Sequence, residues 1–344
     1  MENQLSERQR EILRRVVEEY VATGQPVGSK SLLERSEMLV SSSTVRSELA
    51  ELEARGLLTH PHTSAGRIPT ELGYRFYAQT LLERLGPRPR AFGLDLSDAR
   101  SEVEAALERT TEMLSDVTHL LALVSAPPLR TTVVRHAEVL LLQPRVAMVV
   151  VITSTGGVTK RIASFEEPVD LGLAKWAGEY LNERVAGLQL GTHLLRQRFD
   201  DPGLGVAERA FLAALRPAFT DLVAAGEGRV FVGGAAGLLG EARSEEREAC
   251  QRLLATLEKR AALLEIMDER FDARRPFVRV GGDLEYAALR DVSLVGATYG
   301  LANRTLGAVG LLGPIRMDYD KAIRSVRAAA YELSCFVEEV YAEN

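Results

Sequence analysis

Apolar residues in the first quarter of the chain recur at helical spacing in three short segments. A capping-box pair, Ser6 and Gln9, begins the first predicted helix, and Gly24 ends it. A short second helix is predicted over residues 29–33, and a third runs from Ser41, its N-cap, to Gly56. Three short helices joined by tight turns are typical of a helix-turn-helix.

The third helix divides into two faces when it is projected at about 100° per residue. Val45, Leu49 and Leu52 fall on one side and are predicted to be buried. The opposite side is small, polar and nearly free of acidic residues; it carries Ser43, Ser47, Ala50 and Ala54, flanked by Thr44 and Arg46. Such a face can enter a DNA major groove closely, although an ordinary solvated helix remains the alternative interpretation.

A hairpin is predicted directly after this helix. Residues 57–60 have strand character, residues 61–66 form a turn, and Arg67–Ile68 return as a second strand before another helix begins at Pro69–Thr70. A hairpin in this place is a wing, and its tip offers groups suited to phosphate or minor-groove contacts. His60 and His62 are alternatively half of a metal site, but no further ligand lies near them in the sequence.

Beyond a proline-arginine stretch at residues 86–90, helical and strand patterns alternate. An amphipathic helix is predicted from Val103 to Leu121 and onward to Pro127–Pro128. Strands follow at residues 137–142, 146–153 and 158–165, and again at 292–299 and 306–312, before a closing helix with apolar residues from Ile323 to Val340. We expect these elements to form one α+β domain.

Between the two strand groups the chain is mostly helical, from about residue 173 to 271. Its clearest element, over residues 244–271, carries an apolar stripe at heptad-like spacing, formed by Cys250, Leu254, Leu257, Ala261 and Leu264. This stripe either packs within the chain or contacts a second copy.

Composition fits a soluble protein of two or three domains, with 344 residues, 46% of them hydrophobic and 26% charged. The net charge of −6 argues against a protein that coats nucleic acid. However, residues 1–90 hold 13 basic and 12 acidic side chains, so the acidity belongs to the remainder. With two cysteines, an amphipathic charged N-terminus and no long apolar run, we expect a cytoplasmic protein.

Nothing in the sequence indicates catalysis or a cofactor. The glycine-rich segment from Arg229 to Gly240 has neither the dinucleotide-binding nor the P-loop spacing, and we expect its glycines to form a turn and close contacts after a strand. The five histidines form no metalloprotease or triad-like arrangement. The chain is therefore expected not to be an enzyme.

Several motifs resemble the HrcA family of bacterial heat-inducible transcription repressors. They are Ser41–Glu48, Leu52–Leu58, the highly specific string PHTSAGRIPT at residues 61–70, Gly73–Arg75, Val230–Gly234 with Leu238–Leu239, Gly307–Pro314 and Arg316–Tyr319. Ser47 stands where members of the family commonly carry Asn after the recognition-helix arginine, and its hydroxyl can still donate or accept a hydrogen bond.

The resemblance implies a multidomain α+β protein in five segments. These are a winged helix-turn-helix domain at 1–85, a linker at 86–100, a GAF-like domain at 101–185 and 272–344, and a mostly helical dimerisation domain inserted at 186–271. It also implies that a homodimer binds an inverted-repeat operator in double-stranded DNA, represses chaperone operons and depends on the GroEL chaperonin.

The candidate DNA-binding residues are Ser42, Ser43, Thr44, Arg46, Ser47, His62, Thr63, Ser64, Gly66 and Arg67. Two other functions remain open: a winged-helix regulator that senses a small molecule through the GAF-like domain, and an interaction protein whose winged helix binds only protein.

Overall fold

A computed structural model of the chain describes residues 5–34, 41–61, 66–89, 94, 96, 103–127, 132–154, 156–190, 192–220, 229–241, 243–244, 246–257, 275–284, 289–302 and 304–342. Within these ranges, no helix is long and apolar enough to cross a membrane.

Four helices and a short hairpin make up the N-terminal unit. Its elements are α1 (Glu7–Thr23), α2 (Ser29–Glu34), α3 (Ser42–Ala54), β1 (Leu58–Thr59), β2 (Ile68–Pro69) and α4 (Glu71–Glu83). The Ser6–Gln9 capping box begins α1, and Gly24 ends it with a left-handed φ of 68°. Strands β1 and β2 are antiparallel. The helices and the hairpin predicted for this part of the chain are therefore confirmed.

The body of the protein is built on a five-stranded antiparallel sheet. Its strands are β3 (Leu121–Ser125), β7 (Val230–Gly233), β8 (Phe277–Val280), β9 (Val292–Leu301) and β10 (Arg304–Pro314), in the order β7-β3-β10-β9-β8. Helices α5 (Val103–Thr118) and α11 (Tyr319–Ala342) pack against it, as do the shorter α9 (Ala235–Glu241) and α10 (Arg247–Leu257). The predicted pair β9 and β10 and the closing helix are confirmed, whereas β8 was not predicted.

A second unit has its own sheet and its own core. Its sheet pairs three strands in the order β4 (Val134–Gln143), β5 (Val146–Thr153) and β6 (Val158–Ser164). Helix α6 (Leu171–Arg184) packs on β4, and α7 (His193–Phe199) and α8 (Val206–Leu215) complete the helical layer. Its buried apolar residues run from Val134 to Phe219 and form a cluster separate from the rest.

These three strands were expected to share a domain with β9 and β10, but they form a separate sheet. Among the described strands they pair with one another and with no other. Leu238, Cys250 and Leu253 lie within the segment expected to be inserted, yet they belong to the core of the body. The boundary expected at residues 185 and 186 falls just after α6, inside the second unit. The reason is that strand patterns alone do not say which strands pair.

The helix expected to continue through Leu121 instead ends at Thr118. His119 takes a left-handed φ of 55° and donates its N–H to the Ser115 carbonyl at 2.7 Å. The next residues form β3, which pairs with β7 and β10. Leu121 fits the helical spacing of α5 only because β3 is a buried strand, in which residues 121–124 are all apolar.

The glycine-rich segment and the described part of the apolar stripe both pack within the body. Gly234 follows β7 with φ 90°, and a Cβ at this position would lie 2.4 Å from the Leu120 carbonyl oxygen, so the predicted close contact is confirmed. Cys250 of the stripe is fully buried in the body on α10, which agrees with packing within the chain. Ala261 and Leu264 lie outside the described residues.

The N-terminal unit and the body meet along α4 and share one core cluster. Tyr319 at the start of α11 packs its ring against Tyr74 and Tyr77 of α4, at centroid distances of 5.9 and 6.4 Å. The Glu71 carboxylate accepts the Gly282 N–H at 2.9 Å, and Arg75 pairs with Asp283 at 2.9 Å. Both apolar and polar contacts therefore hold the two parts together.

Arg316 forms the most enclosed ion pair of this junction. Its guanidinium contacts both oxygens of Glu246, at 2.8 and 3.1 Å, and donates to the Val21 carbonyl of α1 at 2.8 Å. The two charged side chains are 16% and 15% exposed. One side chain thus links the body to the C-terminal end of α1.

Candidate nucleic-acid interface

Helix α3 has the two faces that its sequence predicts. Ser41 is the N-cap, and Val45, Leu49 and Leu52 are buried. The opposite face is exposed along its whole length, at Ser43, Arg46, Ser47, Ala50 and Ala54. The apolar face is held by α1 and α2, so a small, polar surface faces solvent.

Hydroxyl groups cluster at the first turn of this helix. Ser41 Oγ accepts the Thr44 N–H at 3.2 Å and lies 2.7 and 2.9 Å from the hydroxyl oxygens of Ser43 and Thr44. Ser43 is exposed, whereas Ser42 and Thr44 are half-buried. This end of the helix offers hydroxyl donors together with the partial positive charge of the helix dipole.

The acidic side chains of α3 are each engaged by an arginine. Glu48 pairs with Arg8 at 2.7 Å, and Glu51 pairs with Arg55 at 2.9 Å. Glu53 pairs with Arg67 of the hairpin. As a result, the carboxylates on α3 are matched by neighbouring cations, which limits repulsion of a polyanion.

Arg46 is the cation of the outer face. Its side chain is exposed, and its Nε donates to Ser29 Oγ of α2 at 3.3 Å. The contact orients the guanidinium beside the N-terminal part of α3 while its other N–H groups remain available. Arg46 and Ser47 therefore lie together on the surface predicted to read DNA.

The base of the hairpin is pinned to the turn between α1 and α2. The Arg67 N–H donates to the Val27 carbonyl and the Val27 N–H donates to the Arg67 carbonyl, both at 2.8 Å. A Cβ on Gly66 would lie 2.6 Å from the Val27 carbonyl carbon and oxygen. Gly66 is half-buried, so its clear structural role is this close approach, which differs from the exposed phosphate contact that we expected.

Arg67 points at α3 within this arrangement. Its guanidinium pairs with Glu53 at 2.7 Å, and His60 contacts the other oxygen of the same carboxylate. Arg67 and Glu53 are each 24% exposed. Glu53 thus joins the hairpin to α3, a role that sequence reasoning missed because the pairing crosses 14 residues of chain without any local pattern.

The remaining wing residues, His62, Thr63 and Ser64, lie outside the described residues. Among the described residues, no group of three or more His, Cys, Asp or Glu side chains could hold a metal ion.

Replacing Gly66 by Ala is expected to loosen the base of the hairpin. The added methyl group meets backbone atoms, which cannot rotate away, so we expect a cost of about 1–3 kcal/mol. Hydrogen exchange of the Val27 and Arg67 amides should accelerate accordingly, since each amide is held by the other residue's carbonyl. Gly28→Ala is the control, because nothing lies within 4 Å of its added Cβ. Unchanged protection in Gly66→Ala would contradict the close approach.

Comparison with known proteins decides the family. Residues 104–323 match the family model described as the HrcA protein C-terminal domain. A protein of Leifsonia xyli subsp. xyli, named heat-inducible transcription repressor HrcA, is 34% identical over 96% of this chain and 98% of its own length. The chain belongs to the HrcA family. The HrcA relative from Streptomyces avermitilis, which has the same name, is 35% identical over 99% of this chain and all of its own length.

The HrcA relatives also cover the N-terminal unit, which lies outside the region of the family match. The resemblance drawn from the motifs is thereby confirmed, and the chain is placed among heat-inducible transcription repressors. A crystal structure of a protein described as hypothetical, determined at 2.2 Å resolution, has a TM-score of 0.68 and covers 98% of this chain and 100% of its own. At 23% identity, this likeness concerns the fold alone.

Proposed function

We propose that the protein represses heat-shock chaperone operons by binding an inverted-repeat operator as a homodimer. The observation that carries the proposal is the outer face of α3, which is exposed, small and free of unpaired carboxylates around Arg46. Here α3 is the recognition helix of a winged helix-turn-helix, and it enters the major groove. No catalytic step is part of this function.

Arg46 reads a base edge in this proposal, most often a guanine, whose O6 and N7 accept a bidentate guanidinium. Ser47 lies beside it and contacts a base or phosphate through its hydroxyl. Ser42, Ser43 and Thr44, at the first turn of α3, contact the DNA backbone together with the helix N-terminus. The wing residues His62, Thr63 and Ser64 reach the flanking phosphates or the minor groove.

Gly66 and Arg67 serve the same surface in a different way. Their contacts with Val27 and Glu53 fix the angle of the wing to α3. We therefore assign them a positioning role, and we expect their loss to weaken binding to every DNA sequence alike.

The second unit provides the dimer contact in this proposal. One face of its sheet packs on its own helices, while the other face carries exposed apolar side chains: Leu140, Leu142, Val158 and Ile162, at 40%, 50%, 65% and 61% exposure. Leu140, Met148 and Ile162 lie opposite one another across the three strands, so the apolar surface is continuous. Exposed apolar surfaces of this kind mark interaction sites.

Charge on the same face favours a second copy as its occupant. Glu138 on β4 and Lys160 on β6 share one cross-strand row, with Val150 between them. A twofold axis parallel to the strands lays β4 of one copy over β6 of the other and sets each Glu138 against a Lys160. The face is thus complementary to itself, as an isologous interface requires.

The separation of the second unit from the body also gives the domain assignment. We assign the five-stranded body to the GAF-like domain and residues 132–220, rather than 186–271, to the inserted dimerisation domain. Dependence on the GroEL chaperonin rests on the family resemblance. In this proposal the chaperonin shifts the repressor population toward its DNA-binding form.

Arg46→Ala is expected to weaken operator binding by about 1–3 kcal/mol and to relax the preference at one base pair. Gel retardation on an inverted-repeat fragment and on random DNA, with and without chaperonin and at two salt concentrations, measures both effects. Arg84→Ala, which removes an exposed charge at the end of α4, is the matched control. Equal weakening on operator and random DNA would make Arg46 a phosphate contact, and no salt-dependent retardation by the wild type would overturn the repressor proposal.

A further inference from the structure

A cleft lies where the linker after α4 crosses the body, and none of the candidate DNA-binding residues is among the residues that line it. Its volume is about 340 Å³, within the size range of small-molecule sites. Pro87 and Pro89 of the linker form one wall; the ends of β9 and β10 and one side of α11 form the others. Its polar lining includes Arg304, Thr305, Arg327, Tyr331 and Glu338.

The lining of this cleft has more basic than acidic side chains, although the part of the chain that forms most of it is acidic. Residues 91–344 are acidic as a whole, since the chain has net charge −6 while residues 1–90 hold nearly equal numbers of both signs. Yet two arginines line the cleft against one glutamate, and Arg88 lies between the two lining prolines in the chain. In the described part of the chain, no carboxylate lies within ion-pair distance of Arg304 or Arg327, whereas Arg229, Arg252, Arg316 and Arg324 each pair with one.

The neighbouring groups suit an anion rather than a neutral molecule. Arg304 and Thr305 are exposed at the start of β10, and the Tyr331 side chain on α11 is 46% exposed. Guanidinium groups bind carboxylates and phosphates through paired, charge-assisted hydrogen bonds, and hydroxyl groups complete such sites. Concave walls reduce the screening of these charges by water.

Arg327 connects the cleft to the linker. One of its terminal nitrogens donates to the Gly86 carbonyl. Since a guanidinium has five N–H donors, Arg327 can hold this carbonyl and an anion together. An anion in the cleft would therefore strengthen the attachment of the linker to α11.

We propose that this cleft binds a small organic anion, carrying a carboxylate or a phosphate group, between Arg304 and Arg327. The hydroxyls of Tyr331 and Thr305 contribute further hydrogen bonds, and Pro87 and Pro89 cover the ligand. This site is separate from the DNA-reading surface, and its existence does not depend on the proposed repressor function.

Calorimetric titration of the full-length protein with citrate and with inorganic phosphate, at constant ionic strength, tests the proposal. We expect saturable binding of at least one anion. Citrate alone would identify the carboxylate as the preferred group, and phosphate alone the phosphate. Absence of saturation by both anions up to about 10 mM would overturn the proposal, because weaker binding would not exceed general salt effects.

Charge-removing variants locate the binding. Arg304→Gln and Arg327→Gln are each expected to weaken it about tenfold or more, since each removes one charge-assisted partner and keeps a neutral donor. Arg324→Gln is the control, because Arg324 lies three residues before Arg327 on α11, is 57% exposed and is paired with Asp320. Binding that falls equally in all three variants would indicate a general charge effect and would contradict the site.

Hydrogen exchange gives a second readout at the linker. With bound anion, the Gly86 and Arg88 amides are expected to exchange more slowly in the wild type, but not in Arg327→Gln. Saturable binding without this protection would contradict the place of the linker in the site.

Discussion

Replacing Arg316 by Met is expected to lower the free energy that holds the N-terminal unit on the body by about 3 kcal/mol. Arg316 binds both oxygens of Glu246, and both side chains are about 85% buried. Removing the guanidinium leaves the Glu246 carboxylate poorly solvated and unpaired, which costs far more than the loss of an exposed ion pair. The bond to the Val21 carbonyl is lost as well.

Urea unfolding monitored by the fluorescence of the tyrosines at this junction measures the effect. Burial of the Tyr74 and Tyr77 side chains raises the pKa of each phenol, so both phenols are neutral in the folded protein. Arg324→Met is the control, because the Arg324–Asp320 pair is 57% and 40% exposed and should contribute less than about 1 kcal/mol. The double variant with Glu246→Gln should recover part of the loss.

Equal unfolding curves for Arg316→Met and Arg324→Met would contradict a stabilising role for the buried pair. If the double variant were no more stable than Arg316→Met, the unpaired carboxylate would not be the cause. In that case, the lost packing of the arginine stem and the lost Val21 contact would account for the effect.

Local rules predicted the N-terminal unit well because its signals are local. The Ser6–Gln9 box, the Gly24 stop and the Ser41 N-cap each depend on residues within one helical turn. The exposed face of α3 followed from helical periodicity alone. The family was likewise predictable, since the string at residues 61–70 is highly specific.

The body and the second unit were harder because their strands pair across long distances. β3 pairs with β7 and β10, which lie more than 100 and 180 residues further along the chain. No local pattern separates such a strand from the last turn of a helix, which is why Leu121 was assigned to α5. The strands at residues 134–164 were correctly predicted, but not their isolation from β9 and β10.

The candidate site shows the same limit at the level of side chains. Periodicity placed Arg46 and Ser47 on the surface, as observed. It could not reveal that Glu53 engages Arg67 and His60, or that Arg8 engages Glu48 from 40 residues away. These contacts decide which cations of this surface are already paired with a carboxylate.

If the proposed dimer forms through the exposed sheet face of the second unit, the double variant Val158→Glu and Ile162→Glu is expected to convert it to a monomer and to weaken operator binding about 10²- to 10⁴-fold. The two side chains are 65% and 61% exposed, so the monomer itself should keep its stability. Because β6 of one copy lies over β4 of the other, the two added carboxylates would face apolar side chains such as Leu140, where they are poorly solvated. Each half-site would then be bound separately, and the gain from linking two reading units would be lost.

Sedimentation velocity at micromolar concentration gives the oligomeric state, with 37.7 kDa expected for the monomer. Val206→Glu is the matched control, because Val206 is 89% exposed in the same unit but stands at the start of α8, away from the sheet face. It should leave both the dimer and the operator affinity unchanged. The assignment of this face would be contradicted if the wild type sedimented as a monomer, or if the Val158→Glu, Ile162→Glu variant still sedimented as a dimer.

Dissociation by Val206→Glu alone would instead place the contact on the helices of the second unit. If the sheet variant dissociates and its operator affinity is unchanged, one reading unit suffices for binding, and the inverted repeat is not read by a dimer.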